Sequence, residues 1–450
     1  MSQNIVLKKG LDVPITGAAD LRVAKTMVPD VVAVKPTDFK GFAPRLLVKE
    51  GDRVLCGSPV LADKKNPDIL IASPVSGTVR AIVRGDKRKL LAVLIDNDGR
   101  RESLDFGKCS VKELDAAQIR EKLLASGVWP WIIQRPYGIL ADPAATPKAV
   151  FISAFDSAPL APDYAFTLGT ESANIQTGID ALARLTGAPV HIGLPAAQTP
   201  FDKLENVRLH RFQGKHPAGN VGVQISHIDP ICKGETVWTT SLLGLAIIGR
   251  LMNTGRYNAL RKLAVTGPMA IEAAYIETVP GTSMKDFAPY YGADPEGIRF
   301  VDGNVLTGEN VGADGYLGYF SQQLTLLREG VEPELLGWIR PIRYRQFSTD
   351  HSYFSWLMPW RKYDMDTNLH GGARAFLMND GYYAKVLPMD IYPIFLAKAC
   401  LAGDIDKMEK FGIYEVLPED LATCEFVDPS KNNIQEMIAQ GIDLMLTEMA

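Results

Sequence analysis

A change of texture near Ser110 constrains this chain more than any other feature of its sequence. Before it, short apolar runs alternate with turn residues. After it, strand-like runs alternate with segments of helical period. The early runs include Val31-Val32-Ala33-Val34, Arg45-Leu46-Leu47-Val48, Ile69-Leu70-Ile71 and Leu90-Leu91-Ala92-Val93-Leu94-Ile95. Gly-Asp, Ser-Gly and Pro turns break them at short intervals, which predicts a small barrel or sandwich. The later part opens with a predicted helix over 111–124, capped by Ser110 with Glu113 at the third position. A strand over 150–153, a helix over 171–185 stopped by Gly187, and strands over 190–193 and 207–212 follow. That βαβ rhythm predicts an open, Rossmann-like α/β sheet.

The chain has 450 residues, too many for one ordinary core, so several domains are expected. Apolar residues make up 46% and charged residues 22%, the balance of a globular protein rather than a disordered one. A net charge of −4 gives no basic face for nucleic acid. The most apolar stretch runs from Ser241 to Gly249 and is closed by Arg250. A membrane-spanning helix needs roughly 20 such residues, so this reads as a buried helix. The first residues lack the apolar run of a signal peptide, which predicts a cytoplasmic chain without a transmembrane segment. Cys56, Cys109, Cys232, Cys400 and Cys424 lie too far apart for a C-x-x-C pair or an iron–sulfur run, and read as reduced, packed thiols. No metal site is expected. No G-x-G-x-x-G follows a strand and no Walker-type loop occurs, so the sequence gives no support for nucleotide binding.

Four units are expected. Residues 1–105 resemble the lipoyl/biotinyl carriers, a barrel-sandwich hybrid of two similar hairpins. Lys49-Glu50-Gly51-Asp52-Arg53-Val54 and Ser73-Pro74-Val75-Ser76-Gly77-Thr78-Val79 carry the likeness. Lys64 and Lys65 then fall near the tip where carriers are modified, but the flanking motif of a modified lysine is missing and Pro67 reshapes the turn. Residues 110–258 are the Rossmann-like α/β unit. Residues 259–330 read strand, strand, helix, strand, which resembles a ubiquitin-like, soluble-ligand-binding (SLBB-like) β-grasp. Residues 331–450 are expected to be mainly helical, with Ile434, Met437, Ile438, Ile442, Met445 and Met449 forming a stripe.

An ordered set of motifs adds a family resemblance. It comprises Lys8-Lys9-Gly10-Leu11-Asp12-Val13-Pro14-Ile15, the two hairpin motifs above, Asp63-Lys64-Lys65-Asn66-Pro67, His216-Pro217-Ala218-Gly219, Asn368-Leu369-His370-Gly371 and Leu387-Pro388-Met389-Asp390-Ile391. Together they resemble the A subunits of the bacterial Na+-translocating NADH:quinone oxidoreductases, from the first strand to the last helix. The resemblance implies a peripheral subunit on the cytoplasmic face of the inner membrane, within a six-subunit complex. That complex reduces ubiquinone with electrons from NADH and exports Na+. It also implies that FAD, FMN, riboflavin and the 2Fe–2S cluster sit on the other five subunits, none on this chain. The membrane-embedded B subunit, which carries the quinone site, is the expected main docking partner. Such A subunits look like relatives of the flavin-binding subunit of respiratory complex I, without the glycine loop and cysteines that hold its cofactors. Two departures stand out. The family often has C-x-F-V-C-P-G-K where this chain has Cys424-Glu425-Phe426-Val427-Asp428-Pro429-Ser430-Lys431, so no cysteine pair is expected. His227 ends a stretch where many relatives carry T-H-I-H, which argues against a two-histidine site.

No catalytic residue is expected on this chain. Three stretches are candidates for contact with quinone, partner or ligand. Between Trp338 and Tyr363, five Lys/Arg face a single carboxylate, Asp350, with aromatics interleaved. Arg340, Arg343, Phe347, His351, Trp356 and Trp360 there suit a headgroup layer, a partner surface or a planar quinone ring. A core segment with solvated arginines is the plainer alternative. His370 and Gly371 would let a ring approach the backbone beside a proton donor, or form a structural turn. His216 and Gly219 follow a strand of the α/β unit, where ligand loops usually sit and where tight connectors also occur. Two other functions stay open: a free-standing flavin or nicotinamide oxidoreductase of complex I type, and a purely non-catalytic scaffold.

Overall fold

In the computed structural model of the chain, the described residues are 3–292, 295–330, 346–349, 354–368 and 380–448. The first two strands do not stay with the N-terminal unit. Strand β1 (Asn4–Val6) and strand β2 (Asp20–Thr26) join sheets built mainly from later parts of the chain. The N-terminal unit proper is made from β3 (Val31–Val34), β4 (Pro44–Leu46), β5 (Arg53–Val54), β6 (Pro59–Asp63), β7 (Leu70–Ala72), β8 (Gly77–Arg84) and β9 (Leu90–Asn97). These form one sheet in the order β3-β9-β8-β5 and a second in the order β4-β6-β7, every pair antiparallel. Val32, Leu61, Ile71, Val93 and Ile95 are buried in the core of this unit, with Val32, Val93 and Ile95 on one face of the first sheet and Leu61 opposite Ile71 in the second, as the alternation of strand side chains requires. Lys64 and Lys65 stand exposed on the β6–β7 turn.

The α/β unit begins with α1 (Ala116–Ala125), and its cap differs from the Ser110 expected. Ser110 precedes only a 3-10 turn over Val111–Glu113. Asp115 is the true cap: its carboxylate accepts the Gln118 N–H at 2.8 Å, and Gln118 Oε1 accepts the Asp115 N–H at 2.9 Å. Next come β10 (Ile133–Arg135), β11 (Ile139–Leu140), β12 (Val150–Ser153), α2 (Tyr164–Leu168), α3 (Ser172–Thr186), β13 (Val190–Pro195), β14 (Arg208–Gln213), α4 (Val221–Ile228), β15 (Val237–Thr239) and α5 (Leu242–Thr254). As expected, α3 stops at Gly187, and the apolar stretch from 242 onward is a helix buried along nearly its whole length. The sheet order is β1-β14-β13-β12-β15-β10-β11. Strands β1, β14, β13, β12 and β15 run parallel, and β10 and β11 close one side antiparallel.

The β-grasp unit contains β16 (Arg261–Thr266), β17 (Ala274–Thr278), α6 (Ala288–Tyr291), β18 (Ile298–Asp302), β19 (Glu309–Asn310) and β20 (Gln323–Arg328). Its sheet runs β19-β18-β20-β16-β17-β2, so residues 20–26 supply its edge strand. Residues 380–448 carry α7 (Asp380–Val386), α8 (Pro393–Ala402), α9 (Ile405–Phe411), α10 (Ala422–Val427) and α11 (Ile434–Glu448). Their core includes Leu7, Phe212, Ala218 and Val223 from the α/β unit, so the two units share one apolar cluster. An ion pair spans the same junction. Arg135 on β10, 3% exposed, meets the fully buried Asp420 at 3.1 Å and Glu419 at 2.7 Å.

Candidate functional site

The sheet sets the site. From β12 the chain goes to β13 on one side and later returns to β15 on the other, so the connections diverge at the β12–β15 gap. In open α/β sheets a crevice forms beyond the carboxyl ends of the strands at such a point. A cleft of about 320 Å³ lies there. Its floor is Ser153 at the end of β12 and Thr239 at the end of β15. One side is aromatic, with Trp131, Phe155, Tyr164 and Phe320. Asn304 and Thr307 reach it from the β-grasp unit and Glu419 from the helical unit, so three units close around it.

His216 and Gly219, singled out from the sequence, both line this cleft. Their loop is held from several directions. The His216 N–H donates to Asp12 Oδ1 at 3.1 Å, and its carbonyl accepts the Leu11 N–H at 2.8 Å. The Gly219 N–H donates to Ser157 Oγ at 2.8 Å, and Ser157 Oγ lies 3.1 Å from His216 Nδ1. A Cβ at Gly219 would come within 2.6 Å of the Ser157 backbone nitrogen, so only glycine lets the two loops meet this closely. Gln224 on α4 completes the support, donating to Ser153 Oγ at 2.9 Å and to the Ala218 carbonyl at 3.2 Å.

The electrostatics of the cleft are those of a place that holds charge reluctantly. His216 is 2% exposed, and burial drives its pKa down to about 4, so the ring is neutral at physiological pH. Burial pushes the Asp156 carboxyl and the Tyr164 hydroxyl upward. Glu419, 46% exposed, is the solvated carboxyl of the cleft and pairs with Arg135 at 2.7 Å. Among the described residues, those around the cleft include the carboxyls of Asp156 and Glu419 but neither Lys nor Arg. Among the described residues no group of three or more His, Cys, Asp and Glu side chains could hold a metal ion.

Arg340, Arg343, His351, His370 and Gly371 lie outside the described residues. Phe347 is half-buried, stacked on Phe426 at 6.3 Å and near Tyr363 at 6.1 Å, which is packing rather than a presented ring. Trp356 and Trp360 are 48% and 79% exposed, with Phe354 and Leu357 exposed beside them. His227 ends α4 with its Nδ1 2.9 Å from the Val223 carbonyl, away from the cleft. Asp428 is buried, its carboxylate accepting the Asn432 N–H at 2.8 Å and side-chain amide at 2.9 Å, so it serves a turn. Asp156, Tyr164, Trp131 and Glu419 were not anticipated. Asp156, three residues past the end of β12, carried a readable signal in its position.

No helix among the described residues is long and apolar enough to cross a membrane. Residues 5–98 match the family model of the NqrA N-terminal barrel-sandwich hybrid domain, 114–257 that of the NqrA second alpha/beta domain, and 263–313 that of the NQRA C-terminal (SLBB) domain. The chain is 38% identical over 433 residues to the A subunit of a Na(+)-translocating NADH-quinone reductase from Alcanivorax borkumensis, covering 95% of this chain and 96% of that one. A protein of the same name from Yersinia pestis is 36% identical over 433 residues, with the same coverage. One from Neisseria meningitidis is 34% identical over 449 residues, covering 99% and 100%. A solved NAD+-reducing [NiFe]-hydrogenase aligns over 73% of this chain and 63% of its own, at 11% identity and a TM-score of 0.38, a likeness too slight to argue from.

Proposed function

Because the chain belongs to the A-subunit family of the Na+-translocating NADH-quinone reductases, we propose that it docks peripherally on the membrane subunits, chiefly the B subunit, at the cytoplasmic face. The observation that carries this reading is the apolar surface over residues 354–360. Phe354, Trp356, Leu357 and Trp360 are all more than 45% exposed there, directly before Arg361 and Lys362. Exposed rings beside cations are suited to a partner surface near a headgroup layer, and a large apolar surface left in water is costly. Ubiquinone reduced by the complex binds at or near that surface. FAD, FMN, riboflavin and the 2Fe–2S cluster sit on other subunits. That division is supported by cysteines no closer than the 24 residues between Cys400 and Cys424, and by the absence of a glycine-rich phosphate loop. The N-terminal unit then acts as a carrier-like fold without its modification, and electrons bypass this chain.

The test is a Leu357→Ser/Trp360→Ser variant in the whole complex. The isolated variant should melt within about 2 °C of the parent, since exposed sites contribute little to stability. The purified complex should lose this chain, with Na+-coupled quinone reduction falling in step. Full retention of both would remove the docking role from this surface. A photoreactive quinone separates contact from scaffolding: labelling confined to the membrane subunits leaves this chain as a scaffold only.

A further inference from the structure

The cleft beyond β12 and β15 is not used by the docking reading, yet it has the build of a binding site. It lies where an open sheet receives ligands, and its volume of about 320 Å³ falls in the range of small-molecule pockets. Trp131 and Phe320, 5.3 Å apart and nearly perpendicular at 86°, set two aromatic rings edge to face in its lining. Its charge pattern narrows the ligand. A phosphate ester would enter beside the carboxyls of Asp156 and Glu419, with no Lys or Arg among the described residues that line the cleft. Arg135, which pairs with the cleft residue Glu419, is already committed to it and to Asp420, and the buried Arg261 over Trp131 is not among the lining residues.

An ionised carboxylate only accepts hydrogen bonds, so the group it meets must bring donors. Vicinal sugar hydroxyls are its usual partners at this end of such sheets. Thr239, Thr240 and Asn304 add further hydroxyl and amide groups to the lining. One independent feature points to a missing partner. The Nε2 of His216, a cleft residue only 2% exposed, has no hydrogen-bond partner, although Nδ1 is held by Ser157. A buried polar atom left so is costly unless something supplies the bond, and a heteroaromatic ring nitrogen or carbonyl would do so.

We propose that the cleft binds an uncharged, nucleoside-like molecule: a flat heteroaromatic ring carrying a hydroxylated sugar or chain, and no phosphate. The ring stacks on one of Trp131 and Phe320 and meets the other edge-on, with a polar edge toward His216, and the hydroxyls face Asp156 and Glu419. The test titrates the purified full chain with two matched pairs, inosine against its monophosphate and adenosine against AMP, by calorimetry. At least one unphosphorylated member should bind saturably, with its monophosphate weaker by about tenfold or more, as expected for an uncompensated dianion beside carboxylates. Thr307→Arg, at an exposed position on the rim, supplies the absent cation and should cut that ratio at least about tenfold. The proposal is overturned if neither inosine nor adenosine binds up to about 1 mM. It is equally overturned if a monophosphate binds as tightly as its parent, or if T307R leaves the ratio unchanged.

Discussion

Removing the carboxylate of Asp420 should loosen the α/β unit from the helical unit. Asp420 is fully buried and makes three contacts: Arg135 Nη1 at 3.1 Å, the Leu417 N–H at 3.0 Å and Asn220 Nδ2 at 3.4 Å. Arg135 is itself 3% exposed. Breaking a buried pair from one side typically costs about 3–5 kcal/mol, because the remaining charge is stranded away from water. Glu419 stays on Arg135 at 2.7 Å and is 46% exposed, so part of the guanidinium charge keeps a solvated partner. That places Asp420→Ala near the low end, about 3 kcal/mol, with roughly 1 kcal/mol more for the orphaned Leu417 N–H. With a urea m-value of about 2 kcal/mol/M for the affected unit, the midpoint should fall by about 1.5–2 M. Asp420→Asn keeps an acceptor for Leu417 and should recover only the smaller part. The double variant Arg135→Met/Asp420→Leu removes both charges from the same space and should cost far less than the sum of the two single losses, since an apolar pair of similar volume is often neutral. The measurement is urea unfolding followed by far-UV circular dichroism and tryptophan fluorescence. A loss below about 1 kcal/mol for D420A, or a double variant as damaged as the summed singles, would refute the view that this pair fastens the units.

Three further outcomes follow from the same structure. Gly222 faces that pair so closely that a Cβ would collide with Asp420 Oδ2 and Arg135 Nη1, so Gly222→Ala should cost nearly as much as D420A, read by the same urea midpoint. Asp115→Ala removes the side-chain half of the α1 capping box, leaving the residue-115 N–H to Gln118 Oε1, and should destabilise by about 1 kcal/mol, read as a small drop in the thermal midpoint. Acid should weaken the fold through two buried rings. Burial, with nearby His210 and Arg208, holds His191 down to about 4, and burial alone does the same for His216. Their ordinary value is near 6.5, so between pH 6.5 and 4 the unfolded chain binds protons that the folded chain refuses. Stability is therefore complete above about pH 6.5 and falls as pH drops, by about 2 kcal/mol per ring at pH 5. A urea midpoint that is flat from pH 7 to pH 5 would contradict this.

What the sequence made legible follows from how local each signal is. The α3 helix and its stop need only residues 172–187, and the turns of the N-terminal unit need only their own Gly, Pro and Asp residues. The fate of β1 and β2 was not legible, because joining β14 and β17 depends on partners some two hundred residues away, and no local pattern encodes that pairing. Ser110 was read as a cap because its spacing to Glu113 is right. Asp115 prevails because it exchanges two hydrogen bonds with Gln118, while Ser110 makes no side-chain cap bond. The same division runs through the cleft. His216 and Gly219 stood out because a His-Pro-x-Gly loop follows a strand, and that much is local. Asp12, Asn304 and Glu419 reach them from three other segments, so their share in the site exists only once the units close on one another.

That dependence bears on function as well as on legibility. A cleft walled by three units keeps its shape only while those units stay docked. Arg135 ties β10 to Asp420 and Glu419, and Glu419 also lines the cleft. The ion pair and the cleft are therefore one mechanical system. A perturbation that frees Glu419 from Arg135 changes both the fit of the helical unit and the charge facing His216. Loss of ligand binding in D420A, at urea concentrations where the secondary structure is intact, would be the expression of that coupling. Binding unchanged under the same conditions would mean the cleft is framed by the α/β and β-grasp units alone.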